Sequence, residues 1–291
     1  MLLEKRMKLA QLTKVEKSIA EYIMTHKNDL EKLSTRMIAN ATHTSSSAVI
    51  RLAHKLGFAG YKELKAHYIQ EMAYLQSHFQ SIDANIPFTE TDTIMSVAHI
   101  MKQMMIESAN DTSSLIRHDS LQQALNLLEK AAHIYIFAYS SYLPLAQVFQ
   151  VKMARIKKQV IVQNMIGEAN YQANLITKED CAIIISYSGE NPYLIKTTKS
   201  LKRKGISVIG ITSVGENSLR EFSDCVLDIS TREKLFSKIG NFSSEYSVEL
   251  ILNILYSCYF QLNYEKNRSY KVLQAKKIEN NHFLNNDLLN D

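Results

Sequence analysis

Apolar positions follow two rhythms along this chain, and the change between them falls near residue 132. Up to there the spacing is helical. Leu12, Val15, Ile19, Tyr22 and Ile23 form one stripe, opened by Thr13 with Glu16 three residues on, the pattern of a capping box. Leu30 and Leu33 close that helix against the next two. The stretch Ser34–Leu56 reads as two short helices around a tight corner. Ser34 caps the first, with Met37 and Ile38 turned inward and the small Ala39 where helices touch. The corner falls at Thr42-His43-Thr44, and histidine is among the non-glycine residues that tolerate positive φ. Ser45 caps the second helix, whose stripe is Val49, Leu52, Ala53 and Leu56, and Gly57-Phe58 ends it. A further long helix is marked by Tyr61, Leu64, Tyr68, Met72, Leu75 and Phe79, a stripe expected to be core.

Residues 81–90, SIDANIPFTE, hold Pro87 and little periodicity and read as a linker. Beyond it, Ile94, Val97, Ala98, Met101, Met104 and Met105 form an apolar helical face suited to a subunit interface, and a second helix spans Ser120–Ala131. Short apolar runs then appear at Ile134–Ala138, Val160–Val162, Cys181–Ser186, Ser207–Thr212 and Val226–Ile229. Helical patterns separate them at Leu143–Lys157, Glu168–Ile176, Pro192–Lys204 and Ser218–Phe222. Continuous apolar strands alternating with helices predict a five-stranded parallel sheet covered on both faces. The last strong helix, Glu245–Leu262, is apolar on most sides, and the Asn-rich end from Asn280 is expected to fray. The predicted organisation is therefore an all-α domain at 1–80, a linker at 81–90, an α/β domain at 91–268 and a tail at 269–291.

Length and composition agree with two globular domains: 291 residues, 46% hydrophobic and 22% charged. The apolar runs, Cys181–Ile185 among them, are too short to span a bilayer, and the first twelve residues lack a signal-peptide core, so no membrane role and a cytoplasmic location are expected. Three scattered cysteines, Cys181, Cys225 and Cys258, lie in apolar segments and read as free thiols in a reducing compartment. Charge is unevenly divided. Residues 1–76 carry 12 Lys+Arg against 7 Asp+Glu, and the remaining 22 and 22 cancel, so the whole excess of +5 lies in the first domain. That is the electrostatic footprint of a nucleic-acid binder, although a solvated basic face would give the same sum.

The outer face of the second short helix gives the charge its meaning. Ser46, Ser47, Arg51 and Lys55 lie opposite the apolar stripe. A helix-turn-helix places the N-terminal residues of its second helix at base edges in the major groove. Serine donates or accepts there, and arginine reads guanine bidentately. An ordinary helical hairpin with a polar outer face would show the same spacing. The flanking residues decide between them: Val49-Ile50-Arg51-Leu52, then Lys55-Leu56-Gly57-Phe58-Ala59-Gly60-Tyr61-Lys62-Glu63-Leu64-Lys65, together with Thr13–Ile23, resemble the N-terminal domain of the RpiR family of transcriptional regulators. The likeness covers roughly residues 1–76. It implies a C-terminal SIS (sugar isomerase) domain that binds phosphorylated sugars. Base contacts are then expected at Ser46, Ser47 and Arg51, and phosphate contacts at Ser45, Lys55 and Lys62, on an inverted-repeat double-stranded operator read by a homodimer or homotetramer.

Ligands of an open parallel sheet bind beyond the carboxyl ends of its strands. The loop after the third strand, Ser186-Tyr187-Ser188-Gly189-Glu190-Asn191, runs into a helix with Pro192 at its start and resembles the SIS phosphate loop, with Asn191 where Thr or Ser is usual. Thr212-Ser213 and Ser218-Leu219 also resemble the SIS pattern. After the first strand the chain departs from it: the usual Gly-x-Gly-x-Ser is here Ala138-Tyr139-Ser140-Ser141-Tyr142, aligned by Lys152 and Arg155 downstream. Two added Cβ atoms restrict the approach of a ligand, and a tyrosine ring can fill part of the pocket. Candidate ligand residues are Ser140, Ser141, Ser186, Ser188, Gly189, Glu190 and Asn191. The effector is expected to be a sugar phosphate or related metabolite, though not a common aminosugar or hexose phosphate. The alternatives are a sugar-phosphate isomerase and a regulator whose SIS domain only dimerises. Glu190, Glu168 and Glu245 are carboxylates of the type an isomerase base requires, but their spacing singles none of them out. The nine histidines show no metal or triad spacing, so no cofactor and no catalytic residue is expected.

Overall fold

The computed structural model describes residues 3–77, 82–163 and 169–278. The chain divides into two compact units. One holds the described residues up to Asp83 with Val214–Glu216, and the other holds the rest.

The first unit is helical: α1 (Leu3–Leu9), α2 (Lys14–Thr25), a 3-10 turn (Lys27–Lys32), α3 (Thr35–Ala41), α4 (Ser46–Lys55) and α5 (Tyr61–Ser77). Its core is Ile19, Ile23, Leu30, Ile38, Leu52, Leu56, Leu64 and Tyr68, all almost wholly buried. The capping box of α2 forms in both directions, with Thr13 N–H donating to the Glu16 carboxylate at 2.8 Å and Glu16 N–H donating to Thr13 Oγ1 at 3.3 Å. Two expected core residues are exposed instead, Val15 at 46% and Met37 at 49%. Ile19, Ala20 and Ile23 set the buried face of α2, and Val15 lies a turn N-terminal to it. Ile38 and Ala39 set that of α3. Leu3 and Met7 of α1 complete the core, a contribution too short to show as a period. The side chain of Leu75, and Phe79 as a whole, lie outside the described residues.

The second unit adds α6 (Ile94–Leu115), α7 (His118–Lys130), β1 (Ile134–Phe137), α8 (Tyr142–Ala154), β2 (Val160–Gln163), α9 (Ala169–Leu175), β3 (Cys181–Ile185), α10 (Pro192–Arg203), β4 (Ser207–Ser213), α11 (Ser218–Glu221), β5 (Cys225–Ile229), α12 (Phe242–Leu262) and α13 (Tyr264–Ile278). All five strands fall where their apolar runs place them. They pair in parallel in the order β2-β1-β3-β4-β5, with Ile134 opposite both Val160 and Cys181. Alternate residues feed two cores. Ile136, Ile183, Ile209 and Leu227 pack with Phe149, Met153, Val248 and Leu255 on one face. Phe137, Ala182, Ile184 and Val208 pack with Leu194, Leu201 and Leu219 on the other. Burial on both faces is why β3 reads as an unbroken apolar run.

Burial pushes the Cys181 thiol up to about 12 and that of Cys225 to about 11, so both stay protonated and inert. The ten residues 269–278 continue as helix in α13, within the stretch expected from sequence to be a tail. The Asn-rich end from Asn280 lies outside the described residues. Among the described residues no helix is long and apolar enough to cross a membrane.

Candidate functional site

Two surfaces gather the residues singled out above, one in each unit. The first is built around the corner between α3 and α4. His43 takes φ +52° and closes the C-terminus of α3: Thr44 N–H donates to Ala39 O at 2.8 Å, and His43 N–H to Asn40 O at 3.3 Å. Those two bonds are a Schellman closure, which needs one left-handed residue at the position after the cap. Thr42 Oγ1 donates to Ile38 O at 2.8 Å and lies 2.9 Å from Thr44 Oγ1, bracing the turn. Ser45 then caps α4, accepting from Ala48 N–H at 3.3 Å and bonding the Ser47 hydroxyl at 2.9 Å.

Packing decides which side of α4 is free. Ala48, Val49, Leu52 and Ala53 are buried, whereas Ser45, Ser47 and Arg51 are exposed and Ser46 is half-buried. Lys62, on α5, is exposed. Lys55 is placed differently from the others, because its ammonium lies 2.8 Å from the Glu16 carboxylate of the capping box. Lys55 and the Thr13 N–H together hold Glu16 below the usual carboxylate range. Ile50 is 40% exposed on the same face as Ser47 and Arg51, a role that sequence reasoning does not assign it. Its position one residue off the buried stripe is the available signal.

The second surface is the carboxyl edge of the sheet. Order β2-β1-β3 means that the chain leaves β1 in one direction and β3 lies on its other side, so the topological switch point falls between β1 and β3. Ligands of open α/β sheets bind at such a point. The structure brings both predicted loops there: Ser140 and Ser141 after β1, and Ser186, Ser188, Gly189, Glu190 and Asn191 after β3.

In the β3 loop most polar groups are matched internally. Asn191 caps α10, accepting from Tyr193 N–H at 3.1 Å and Leu194 N–H at 3.2 Å. Glu190 accepts from Ser218 N–H at 2.8 Å and from the Ser218 hydroxyl at 2.7 Å. Gly189 has φ +66°, and a Cβ there would collide with the Asn217 side chain. Ser186 is buried, and Ser188 accepts from Glu190 N–H at 3.2 Å. Of the other isomerase candidates, Glu245 lies half-buried in the first turn of α12, and Glu168 is outside the described residues.

In the β1 loop Ser140 is exposed at φ +54°, the left-handed conformation that a glycine takes easily. Ser141 accepts from Asn241 Nδ2 at 3.2 Å. Tyr142 is buried, and its hydroxyl donates to Ser244 Oγ at 3.0 Å. Burial pushes that hydroxyl's pKa up, so it remains a donor. Ser244 continues the chain to a carboxylate that sequence spacing does not reveal. Glu233 accepts from Ser244 N–H at 2.9 Å and Ser244 Oγ at 2.7 Å, and Lys238 Nζ lies 2.9 Å from it. Lys238 also sits over the Tyr187 ring, 5.1 Å from its centroid, and Tyr187 Oη donates to Glu233 O at 2.6 Å. A buried acid, a cation and three hydroxyls thus surround the switch point. Tyr142 lies far along the chain from Glu233, Lys238 and Ser244, which is why no local motif shows them. No cluster of acid, histidine or cysteine side chains among the described residues has the form of a metal site.

Comparison with known proteins gives each unit a counterpart. Residues 1–74 match the helix-turn-helix domain of the rpiR family, and residues 127–255 match the SIS domain. Two relatives are described as uncharacterized HTH-type transcriptional regulators. TTE0211 of Caldanaerobacter subterraneus is 25% identical over 93% of this chain and 96% of its own length. YbbH of Bacillus subtilis is 26% identical over 88% of each chain. Among solved structures, the NanR protein of Vibrio vulnificus complexed with ManNAc-6P superposes with a TM-score of 0.60 at 19% identity, covering 97% of this chain and 99% of that one.

Proposed function

Since the chain belongs to the RpiR family of helix-turn-helix regulators with an SIS domain, we propose that it is a cytoplasmic DNA-binding transcriptional regulator of carbohydrate-metabolism genes, controlled by a phosphorylated sugar or related metabolite. One observation carries the reading: the outer face of α4 presents Ser47, Ile50 and Arg51 to solvent on a helix whose opposite face is fully buried. Arg51 is assigned a bidentate guanine contact and Ser46 and Ser47 adjoining base edges, while the exposed Ile50 suits a thymine methyl group. Ser45 and Lys62 are assigned phosphate contacts. For Lys55 a phosphate competes with Glu16, so its share of affinity is expected to be smaller than that of Lys62.

The sensor reading rests on the switch-point loops and on the NanR likeness, whose partner ligand is ManNAc-6P. Tyr142, where the Gly-x-Gly-x-Ser pattern has serine, is proposed to take up space that a ligand would otherwise fill. An effector other than a common hexose or aminosugar phosphate is therefore proposed. The isomerase alternative is disfavoured, because Glu190 is held by Ser218. A base must instead be within reach of a substrate proton. Helix-turn-helix dimers bind the two half-sites of an inverted repeat, and two copies of this chain are proposed to bind one operator in that way.

Titration of the purified protein with a panel of sugar phosphates, in the parent and in Tyr142→Ser, tests the sensor assignment. The variant is expected to gain at least about tenfold in affinity for a hexose 6-phosphate, or ~1.4 kcal/mol. Equal, tight binding of that compound by the parent would overturn the narrowed pocket.

A further inference from the structure

The segment entering the second unit is bonded to the ligand edge at Asn85. Asn85 Oδ1 accepts from Lys234 N–H at 2.6 Å, and the Asn85 carbonyl accepts from Ile239 N–H at 3.0 Å. Its Nδ2 lies 3.5 Å from the Arg232 carbonyl. The loop held in this way, residues 232–241, carries Glu233 and Lys238, which meet Tyr142 through Ser244. Asn241 at the end of the loop reaches Ser141. One continuous set of bonds therefore runs from the β1 loop, through Ser244 and Glu233, to Asn85. The base of the loop is held further by Glu233, which bonds Tyr187 and Ser244, and by Arg232, which pairs with Glu107 of α6 at 2.9 Å, while its tip shows Leu235, Ile239 and a 93% exposed Phe236 to solvent. Its rigidity has to come from its ends and from what they grip.

We propose that Asn85 is a positioning residue for the ligand edge, a clasp through which the state of the Tyr142–Ser244–Glu233 network sets the order of the segment leading into α6. Only the purpose of this coupling rests on the regulator reading above. A ligand that displaces the Tyr142 hydroxyl or recruits Lys238 changes what Glu233 must satisfy. The 232–241 loop then shifts, and Asn85 with it. Mere spatial contact would not make this a coupling; the two ends must respond to each other.

Amide hydrogen exchange of the full-length protein tests this, read at Lys234 and Ile239, whose N–H groups report the clasp. In Asn85→Ala, Lys234 is expected to exchange about fivefold faster, as for one lost hydrogen bond. Asn85→Asp keeps an acceptor for Lys234 N–H but loses the Nδ2 donor to the Arg232 carbonyl, so it should recover only part of the protection. Tyr142→Phe, at the far end of the network, is expected to speed both amides by at least about threefold, with Val208 in β4 unchanged as control. Parent-like exchange of Lys234 and Ile239 in Tyr142→Phe would overturn the clasp, as would parent-like exchange of Lys234 in Asn85→Ala. Operator binding is measured separately on the same proteins. Its absence from the parent would sink the regulator reading and leave the exchange result standing, whereas unchanged exchange sinks only the clasp.

Discussion

His43 is the smallest feature on which the reading head depends. A side chain with one Cβ substituent tolerates φ +52°, and a β-branched one does not. His43→Val is expected to cost about 1–2 kcal/mol of stability, seen as a lower midpoint in urea, while His43→Gly should match or exceed the parent. Glu71 offers a second test at this scale. Its carboxylate is buried and accepts Leu3 N–H at 2.9 Å on each oxygen. Burial outweighs that bond and raises its pKa above the ordinary 4.5. A raised carboxyl favours folding while it is protonated, so this contribution is present below pH 4.5 and is lost as pH climbs through the folded value. Glu71→Gln, which mimics the protonated form, should therefore raise the melting temperature at pH 7–8 relative to the parent. The advantage should shrink as pH falls below about 4.5. A difference that does not vary with pH would contradict the assignment.

At the scale of elements, the sheet and its loops explain what sequence can and cannot reveal. The five strands are legible because each centres on a short apolar run, unbroken in β3, which is buried on both faces. The α3–α4 corner is legible because its signals are local: Ser34 and Ser45 cap helices, His43 makes the turn and Gly57 stops α4. α13 is not, since only Asn267 of its fifteen residues is buried and no apolar stripe marks it. Glu233, Lys238 and Asn85 are hidden for another reason. Their roles come from partners far along the chain, brought together by the parallel topology rather than by spacing. The β3 loop shows how tightly such an edge is built. Gly189→Ala would drive a Cβ into Asn217, whose side-chain carbonyl caps α11 through Arg220 N–H at 2.9 Å. A loss of about 1–3 kcal/mol in denaturant titration is expected, from strain and the displaced cap together. Parent-like stability would show that the loop yields freely.

For the whole molecule the charge division states the working arrangement. All of the +5 excess falls within residues 1–76 and none in the remainder. Affinity for DNA should accordingly fall steeply with salt, whatever the sequence of the duplex, because phosphate contacts release counterions. Specificity must come instead from the free face of α4. In a dimer two such faces read half-sites about 34–36 Å apart, one helical turn, or a multiple of that. The most direct test is selection of binding duplexes from a random pool by the full-length protein, run in parallel with Arg51→Ala. The parent is expected to enrich an inverted repeat. The variant should lose discrimination at one base pair in each half-site, a cost of about 1–3 kcal/mol, with its circular dichroism unchanged. If the parent enriches no sequence, or if both proteins enrich the same sequences to the same depth, α4 is not the reading head.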